Sequence, residues 1–477
     1  MFGMDIYGSI GLTQNPFLVQ PLSSNDQGMR LLIGRDTELK LLVQRLHKHG
    51  KITCLDGHVG VGKTSLVNVA AHLCYQGYFK GETPQLLIPA LAPFQLKKDG
   101  NVDQFCNDVF QGVAQTLLKH RSEIQDITTN INLPHLESWM NSPIVDHLNA
   151  VGDAGASFGI SGVASASIKA GISTSKQVNQ SAGFAQSGFE NLVKTWLNEI
   201  FNTQGNGGVV CVIDNVELLE TGSVARRQLE QLRDRLFNVN GLRWVFCGAN
   251  GVINSLASSP RLTAFLNPIV EVSNIDPSFI APMMRARLAE YATDPSRAEQ
   301  DLPIDLHDMT HLYRIVNTNL RDLLALSDEF CESTSQTNKP LRETVKKQAK
   351  FERWLTKVSI DRYEELSSRI SQNAWVILDI AMSDLFKGTF GAGAYSSFNQ
   401  NSSVTFQQST FAKLLRDLEK IGLLSKSFDL DQSDEDTFNR DVFSVTAKGA
   451  LVYYARRKKA ENQSFAPDAD WMRRVHR

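Results

Sequence analysis

The chain has 477 residues, which at roughly 150 residues per domain gives an expectation of two to three domains. Hydrophobic residues make up 42% and charged residues 21%, the balance of a chain that buries real cores, and this excludes a mainly disordered, collagen-like or coiled-coil protein. Lys and Arg number 49 against 51 Asp and Glu, a formal charge of −2, so a globally basic nucleic-acid coat is excluded while a local basic face is not.

Met1-Phe2-Gly3-Met4-Asp5 lacks a basic stretch followed by an apolar core, so no secretory signal is expected. No run of about 18 apolar residues occurs, so no membrane-spanning helix is expected either. Cys54, Cys74, Cys106, Cys211, Cys247 and Cys331 lie far apart with no CxxC pair. The expectation is a reduced, cytoplasmic protein without disulfides or a zinc site.

The first predicted element that carries chemistry is a short buried strand at Ile52-Thr53-Cys54-Leu55. It runs into Asp56-Gly57-His58-Val59-Gly60-Val61-Gly62-Lys63-Thr64-Ser65, which matches GxxxxGK[ST], and an apolar-periodic helix follows through Leu66, Val67, Val69, Ala70 and Leu73. Glycines at 57, 60 and 62 let successive N–H groups converge on one concavity, and the helix starting near Lys63 adds its positive end. Lys63 is expected to reach the β- and γ-phosphates and the Thr64 hydroxyl to ligate Mg²⁺. Residues 57–65 are thus the candidate triphosphate cradle, with His58 and Ser65 read as loop and helix residues rather than catalysts.

A strand near Gln85–Pro89 and a helix through Val102–Leu118 come next. Then Gly152–Gly183 is rich in Gly, Ala and Ser. Phe158, Ile160, Ala164, Ala166, Ile168, Ala170 and Ile172 fall on even positions there, a period of two. Its small side chains bury little area. The readings are an arm disordered until a partner arrives, or a hairpin at a subunit interface or on nucleic acid; so many Ala residues disfavour a membrane-inserting hairpin.

Gly208-Val209-Val210-Cys211-Val212-Ile213-Asp214 reads as a central parallel strand buried on both faces. Asp214 emerges at its carboxyl end, where ligands of open α/β sheets gather, and is expected to hold Mg²⁺. Asn215 follows. An amide cannot take a proton, so it cannot be the general base; Glu217 either activates water or faces solvent. Slow hydrolysis is expected, suited to a timed switch. A third strand, Leu242–Asn250, ends in Asn250, a residue able to orient the attacking water.

The C-terminal third is polar and helical to about Ser367, then carries an apolar helix at Ala374–Ala381. A helix capped by Ser409-Thr410 is expected next, with Lys413, Arg416 and Lys420. It leads to Gly422-Leu423-Leu424, an acidic tip around Asp429–Thr437, a strand at Val442–Val445 and a last helix opening at Thr446. This is the order of a winged helix, in which the helix before the wing reads DNA. The acidic tip would repel phosphates. Arg456-Arg457-Lys458-Lys459 and Arg473-Arg474 make a basic end that would attract them.

On these residues the chain resembles the AAA+ ATPases, particularly the replication-initiator (origin-recognition and initiator-loader) clade, over about residues 15–330; the winged helix is similar to the MarR-type pattern. Asn15-Pro16-Phe17 and Ile33-Gly34-Arg35 look like that clade's leading segment, which implies that Ile33 and Gly34 lie at the adenine. The resemblance implies that Asn250 is sensor 1, that Arg261 is an arginine finger acting on a neighbouring subunit, and that Arg321 is the sensor-2 phosphate contact. The Asp214-Asn215 pair looks more like the STAND signalling ATPases, although the arginine those proteins often carry after the third strand is missing.

The expected fold is therefore α/β: an AAA+ P-loop core with a parallel sheet (1–275, with the 152–183 insertion), a helical lid (276–365), a winged helix (366–460) and a basic tail (461–477). The expected function is an ATP- and Mg²⁺-dependent, slowly hydrolysing ATPase that forms homo-oligomers and acts on DNA, in initiation, transposition targeting or defence against mobile elements. The alternative is a STAND-like scaffold of antiphage defence, assembling on a trigger and recruiting a separate effector protein. Neither involves a membrane.

Overall fold

The computed structural model describes residues 6–97, 100–127, 186–202, 204–216, 222–249, 252–257, 259–334, 342–428 and 441–464. The Gly152–Gly183 tract, Glu217, Asn250, the acidic tip Asp429–Thr437 and Arg473-Arg474 lie outside the described residues. The chain divides into two units: a sheet unit, Gln20–Gly57 with Gly62–Val272, and a helical unit, Met1–Val19 with His58–Val61 and Ser273–Arg477.

In the sheet unit, α1 (Asp26–Leu31) and α2 (Asp36–Leu46) precede β1 (Thr53–Asp56) and α3 (Lys63–Phe79). β2 (Leu86–Pro89), β3 (Phe94–Gln95), α4 (Val102–Lys119), α5 (Arg121–Ile127) and α6 (Gln186–Ile200) follow. The unit ends with β4 (Gly207–Asp214), α7 (Gly222–Leu232), β5 (Leu242–Gly248), α8 (Val252–Ala257) and β6 (Val270–Glu271). β1 starts one residue later than expected, because Ile52 makes only an isolated bridge to Leu266.

The strand order is β2-β4-β5-β1-β6, with β3 beside β4, and every pairing is parallel. All residues of β1, β2, β4 and β5 are buried. Continuous apolar runs such as Val209–Ile213 are what a strand covered on both faces requires. β4 can slot between its neighbours because it opens with two glycines: a Cβ on Gly207 would stand 1.9 Å from the Leu86 carbonyl oxygen. Phe105, Val109, Phe110, Val113 and Leu117 of α4 and Val193, Trp196, Leu197 and Ile200 of α6 repeat at helical spacing. They join Ile88, Cys211, Ile213 and Phe246 in one core. Each such side chain contributes about 1.5–3 kcal/mol by leaving water.

In the helical unit, α9 (Ile280–Tyr291), α10 (Pro295–Asp301), α11 (Leu306–Ile315), α12 (Leu320–Thr334) and α13 (Thr344–Ser367) precede a small α/β module. Its elements are α14 (Gln372–Ala381), β7 (Thr389–Gly391), α15 (Tyr395–Gln400), α16 (Gln408–Lys420), β8 (Leu424–Phe428), β9 (Asp441–Val445) and α17 (Ala447–Ser464). Its antiparallel sheet has the order β7-β9-β8. The helices at 372–381 and 408–420 and the strand at 441–445 fall where the sequence put them, whereas β7 and α15 were not expected from it. Phe398 centres its core, 4.8 Å from the rings of Phe386 and Phe390 and 5.0 Å from Phe411. α16 begins at Gln408, so Ser409 and Thr410 lie in its first turn instead of capping it. Thr446 does cap α17, its Oγ1 accepting from the Gly449 N–H at 3.0 Å.

Cations of the 456–459 run are engaged inside this unit, Lys458 lying 5.6 Å from the Tyr454 ring centre. Arg456 donates to both carboxylate oxygens of Asp379 at 2.7 and 2.8 Å and lies 4.7 Å from the Trp375 ring centre. Lys459 pairs with Glu364 at 2.7 Å and covers Tyr363. They fasten α17 to α14 and α13, so counting this run as free positive charge overstates what it can offer a phosphate backbone.

The leading residues belong to the helical unit. Arg287, buried on α9, donates through Nη1 to the carbonyls of Pro16 at 2.7 Å and Leu18 at 3.0 Å. Thr13 donates its N–H and hydroxyl to the Tyr291 carbonyl, and Asn15 donates to Asp328 at 3.0 Å. Phe17, 1% exposed, is sealed in beside Tyr7.

Candidate nucleotide site

The loop between β1 and α3 is shaped by residues that tolerate unusual backbone. Gly60 and Gly62 have φ of 84° and 97°, and Gly62 is the residue from which α3 starts. Lys63 is thereby the first helical residue. Lys63 is buried, 7% exposed, and its ammonium folds back to donate to the Gly57 carbonyl at 2.8 Å. This holds a cation between the end of β1 and the positive end of α3.

Asp214 ends β4, two strands away from the loop and at the same carboxyl edge, because β5 lies between β1 and β4. The Thr64 hydroxyl donates to Asp214 Oδ2 at 2.8 Å, and Asp214 Oδ1 accepts the Asn215 N–H at 2.9 Å. Two residues 150 positions apart in sequence thus meet as a hydroxyl and a carboxylate. These are hard oxygen donors, which fit Mg²⁺ because that ion takes one or two protein oxygens and fills its octahedron with water and phosphate. Asn215 takes a left-handed φ of 56°.

The apex, His58–Val61, groups with the helical unit. Val59 is 44% exposed and Val61 5%, with the Val61 N–H donating to the His58 carbonyl at 3.3 Å. A Cβ on Gly60 would come within 3.0 Å of Arg321 Cβ and of Asn319 Oδ1. Arg321 therefore stands at the loop apex.

The other candidate residues distribute differently. The Ser65 hydroxyl accepts the Leu22 N–H at 3.0 Å while Asn68 donates to the Leu22 carbonyl at 2.8 Å, so Ser65 anchors the leading chain on α3. Ile33 and Gly34 form the turn between α1 and α2, with Gly34 at φ 73°. Arg261 is exposed in a turn and makes no hydrogen bond or ion pair with a described residue. Arg287 and Asn317 escaped sequence reading. Their roles depend on carbonyls about 270 and 128 residues away, and the only local signal was the polar string Asn317-Thr318-Asn319 before a helix.

No family model and no curated protein matches the chain. Among solved structures, it is similar to the Aeropyrum pernix ORC1 protein in complex with DNA, at 13% identity and a TM-score of 0.42 over 93% of this chain and 96% of that one. The Aeropyrum pernix ORC2 protein, in ADPNP–ADP complexes, matches at 9% identity and a TM-score of 0.44 over 94% and 98% of the two chains. A Walker-type ATPase of Pyrococcus abyssi matches at 13% and 0.41 over 92% and 99%. The fold itself rests on the coordinates: the glycine loop between strand and helix, the acid ending a strand at the same edge and the all-parallel order β2-β4-β5-β1-β6 together make a P-loop α/β core.

Proposed function

We propose that the protein is an ATP-dependent switch: it binds Mg·ATP in the 57–65 loop, hydrolyses it slowly, assembles into homo-oligomers and acts on DNA through its C-terminal module. The observation that carries the nucleotide reading is the pairing of Thr64 with Asp214 beside a buried Lys63. Lys63 and the loop N–H groups bind the phosphates, while Thr64 and Asp214 hold the metal. Mg²⁺ when bound supplies neutralisation of charge developing between the β- and γ-phosphates. Asn215 brings no base, which supports slow turnover. Arg261, exposed and with Asp234 as its nearby charge among the described residues, suits a finger that completes a neighbouring subunit's site.

DNA binding rests on α16, where Lys413, Arg416 and Lys420 are exposed and pair with no acid among the described residues. The engagement of Arg456 within the module and of Lys459 on α13 favours the second reading, a signalling scaffold that assembles with ATP and recruits an effector protein. Calorimetry with ATP and Mg²⁺ tests the nucleotide reading, and Lys63→Ala is expected to abolish the heat. Sizing with ADP, ATP and ATP plus DNA separates the classes. Salt-dependent DNA binding tightened by ATP supports the switch on DNA; ATP-driven assembly indifferent to DNA supports the scaffold.

A further inference from the structure

Between α11 and α12, Asn317 and Thr318 take left-handed backbone one after the other, with φ of 53° and 57°. A consecutive non-glycine pair there, one of it β-branched, persists only where its surroundings hold it. Thr318 is held by its N–H on the Tyr313 carbonyl at 2.9 Å and by Asn274, whose amide donates to its hydroxyl at 2.7 Å. Asn317 reaches into the C-terminal sheet: its Nδ2 donates to the carbonyl of Val445, the last residue of β9, at 2.8 Å. Gly388 makes room for that amide. It has a φ of 85°, and a Cβ there would stand 2.7 Å from Nδ2 and 2.8 Å from Oδ1 of Asn317. The Val445 N–H in turn donates to the Gly388 carbonyl at 2.7 Å. Two residues after Asn317, Asn319 caps α12, its Oδ1 accepting the Asp322 N–H at 3.1 Å, and Asn319 and Arg321 both lie against Gly60 of the phosphate loop.

We propose that Asn317 is a positioning residue: anchored in the C-terminal sheet, it fixes the start of α12 so that Asn319 and Arg321 meet the loop apex, and it thereby couples triphosphate occupancy to the sheet at Gly388 and β9. All of these residues belong to one unit. The position demands a side chain that tolerates left-handed backbone and also donates a hydrogen bond, and Asn does both. The proposal rests on the loop binding ATP, as inferred above.

The test compares wild type with Asn317→Asp, which keeps the shape and loses the donor, and with Gly388→Ala, which presses on the same amide from the opposite side. ATP and ADP affinities are measured by calorimetry, and hydrogen exchange is followed in peptides covering Gly388 and Asp441–Val445 with and without ATP. In wild type ATP changes exchange in those peptides. In either variant that change disappears and the preference for ATP over ADP falls roughly tenfold, within the usual range of coupling between two sites. A merely structural defect would weaken both nucleotides alike. Wild-type ATP/ADP preference and ATP-dependent exchange in both variants overturn the proposal, as does a wild type that binds ATP without altering those peptides. If wild type binds no nucleotide at all, the ATP reading fails instead.

Discussion

The nucleotide loop and the C-terminal module both carry conspicuous charge in sequence, and the structure uses the two differently. At the loop, Lys63 rests on the backbone of the loop itself and Asp214 on Thr64 and its own neighbour's N–H, partners that a phosphate and a metal can take over. In the module, Arg456 and Lys459 are set onto acids and laid over aromatic rings, interactions that fasten helices together. Spacing brings Thr64 and Asp214 to one edge as expected, whereas a count of charge does not show that Arg456 and Lys459 are engaged by acids. A cation held by a backbone carbonyl can exchange that partner for a ligand more readily than one fixed on a carboxylate and a ring.

That contrast can be broken at several points. Arg261→Ala is expected to leave ATP affinity unchanged and slow hydrolysis by roughly 10³-fold; turnover within a few fold of wild type removes the finger. In the module, Lys413→Glu with Arg416→Glu is expected to weaken DNA binding about tenfold and to reduce the salt slope by about 0.9 for each phosphate no longer neutralised. Arg456→Ala should leave that slope alone and cost about 1 kcal/mol of stability, seen as a lower unfolding midpoint. If Arg456→Ala changes the slope and the α16 pair does not, the contrast is reversed.

Smaller effects sharpen it. Ser65→Ala is expected to cost about 1 kcal/mol of stability, because the Leu22 N–H is deprived of its acceptor, with ATP affinity unchanged. Asp308 supplies a buried acid to set beside Asp214. Its Oδ2 finds no hydrogen-bond partner among the described residues, and burial, reinforced by Asp305, pushes its carboxyl up from 3.8 to about 6. A carboxyl raised on folding favours the neutral form, so its contribution is complete below about pH 4 and is lost as the pH rises through about 6. Asp308→Asn should therefore raise the melting temperature at about pH 7.5 and leave it unchanged near pH 4; an equal shift at both would sink this account.

The core of the site was legible because its determinants are local. Gly57–Ser65 is one uninterrupted string, and the ends of parallel strands meet at one edge whatever the intervening length, so Thr64 and Asp214 could be paired across 150 residues. The helices at 372–381 and 408–420 and the strand at 441–445 were legible for the same reason, each carrying its own period and turn, whereas the short elements at 389–391 and 395–400 were not. What sequence could not supply were interactions defined only in three dimensions. Ser65 reads as part of the phosphate motif and is an anchor for Leu22. Arg287 looks like one more surface cation on a helix and is buried against two carbonyls of the leading segment. The paired left-handed residues at 317 and 318 have no signature in composition or periodicity.

The backbone at Asn215 limits which side chains can stand beside Asp214. A glutamate installed there to hasten water attack would have to occupy a conformation that Asn tolerates and most side chains resist, at roughly 1 kcal/mol or more. Whatever chemistry the neighbouring carboxylate supports, the side chain at this corner is chosen in part by the backbone it must sit on.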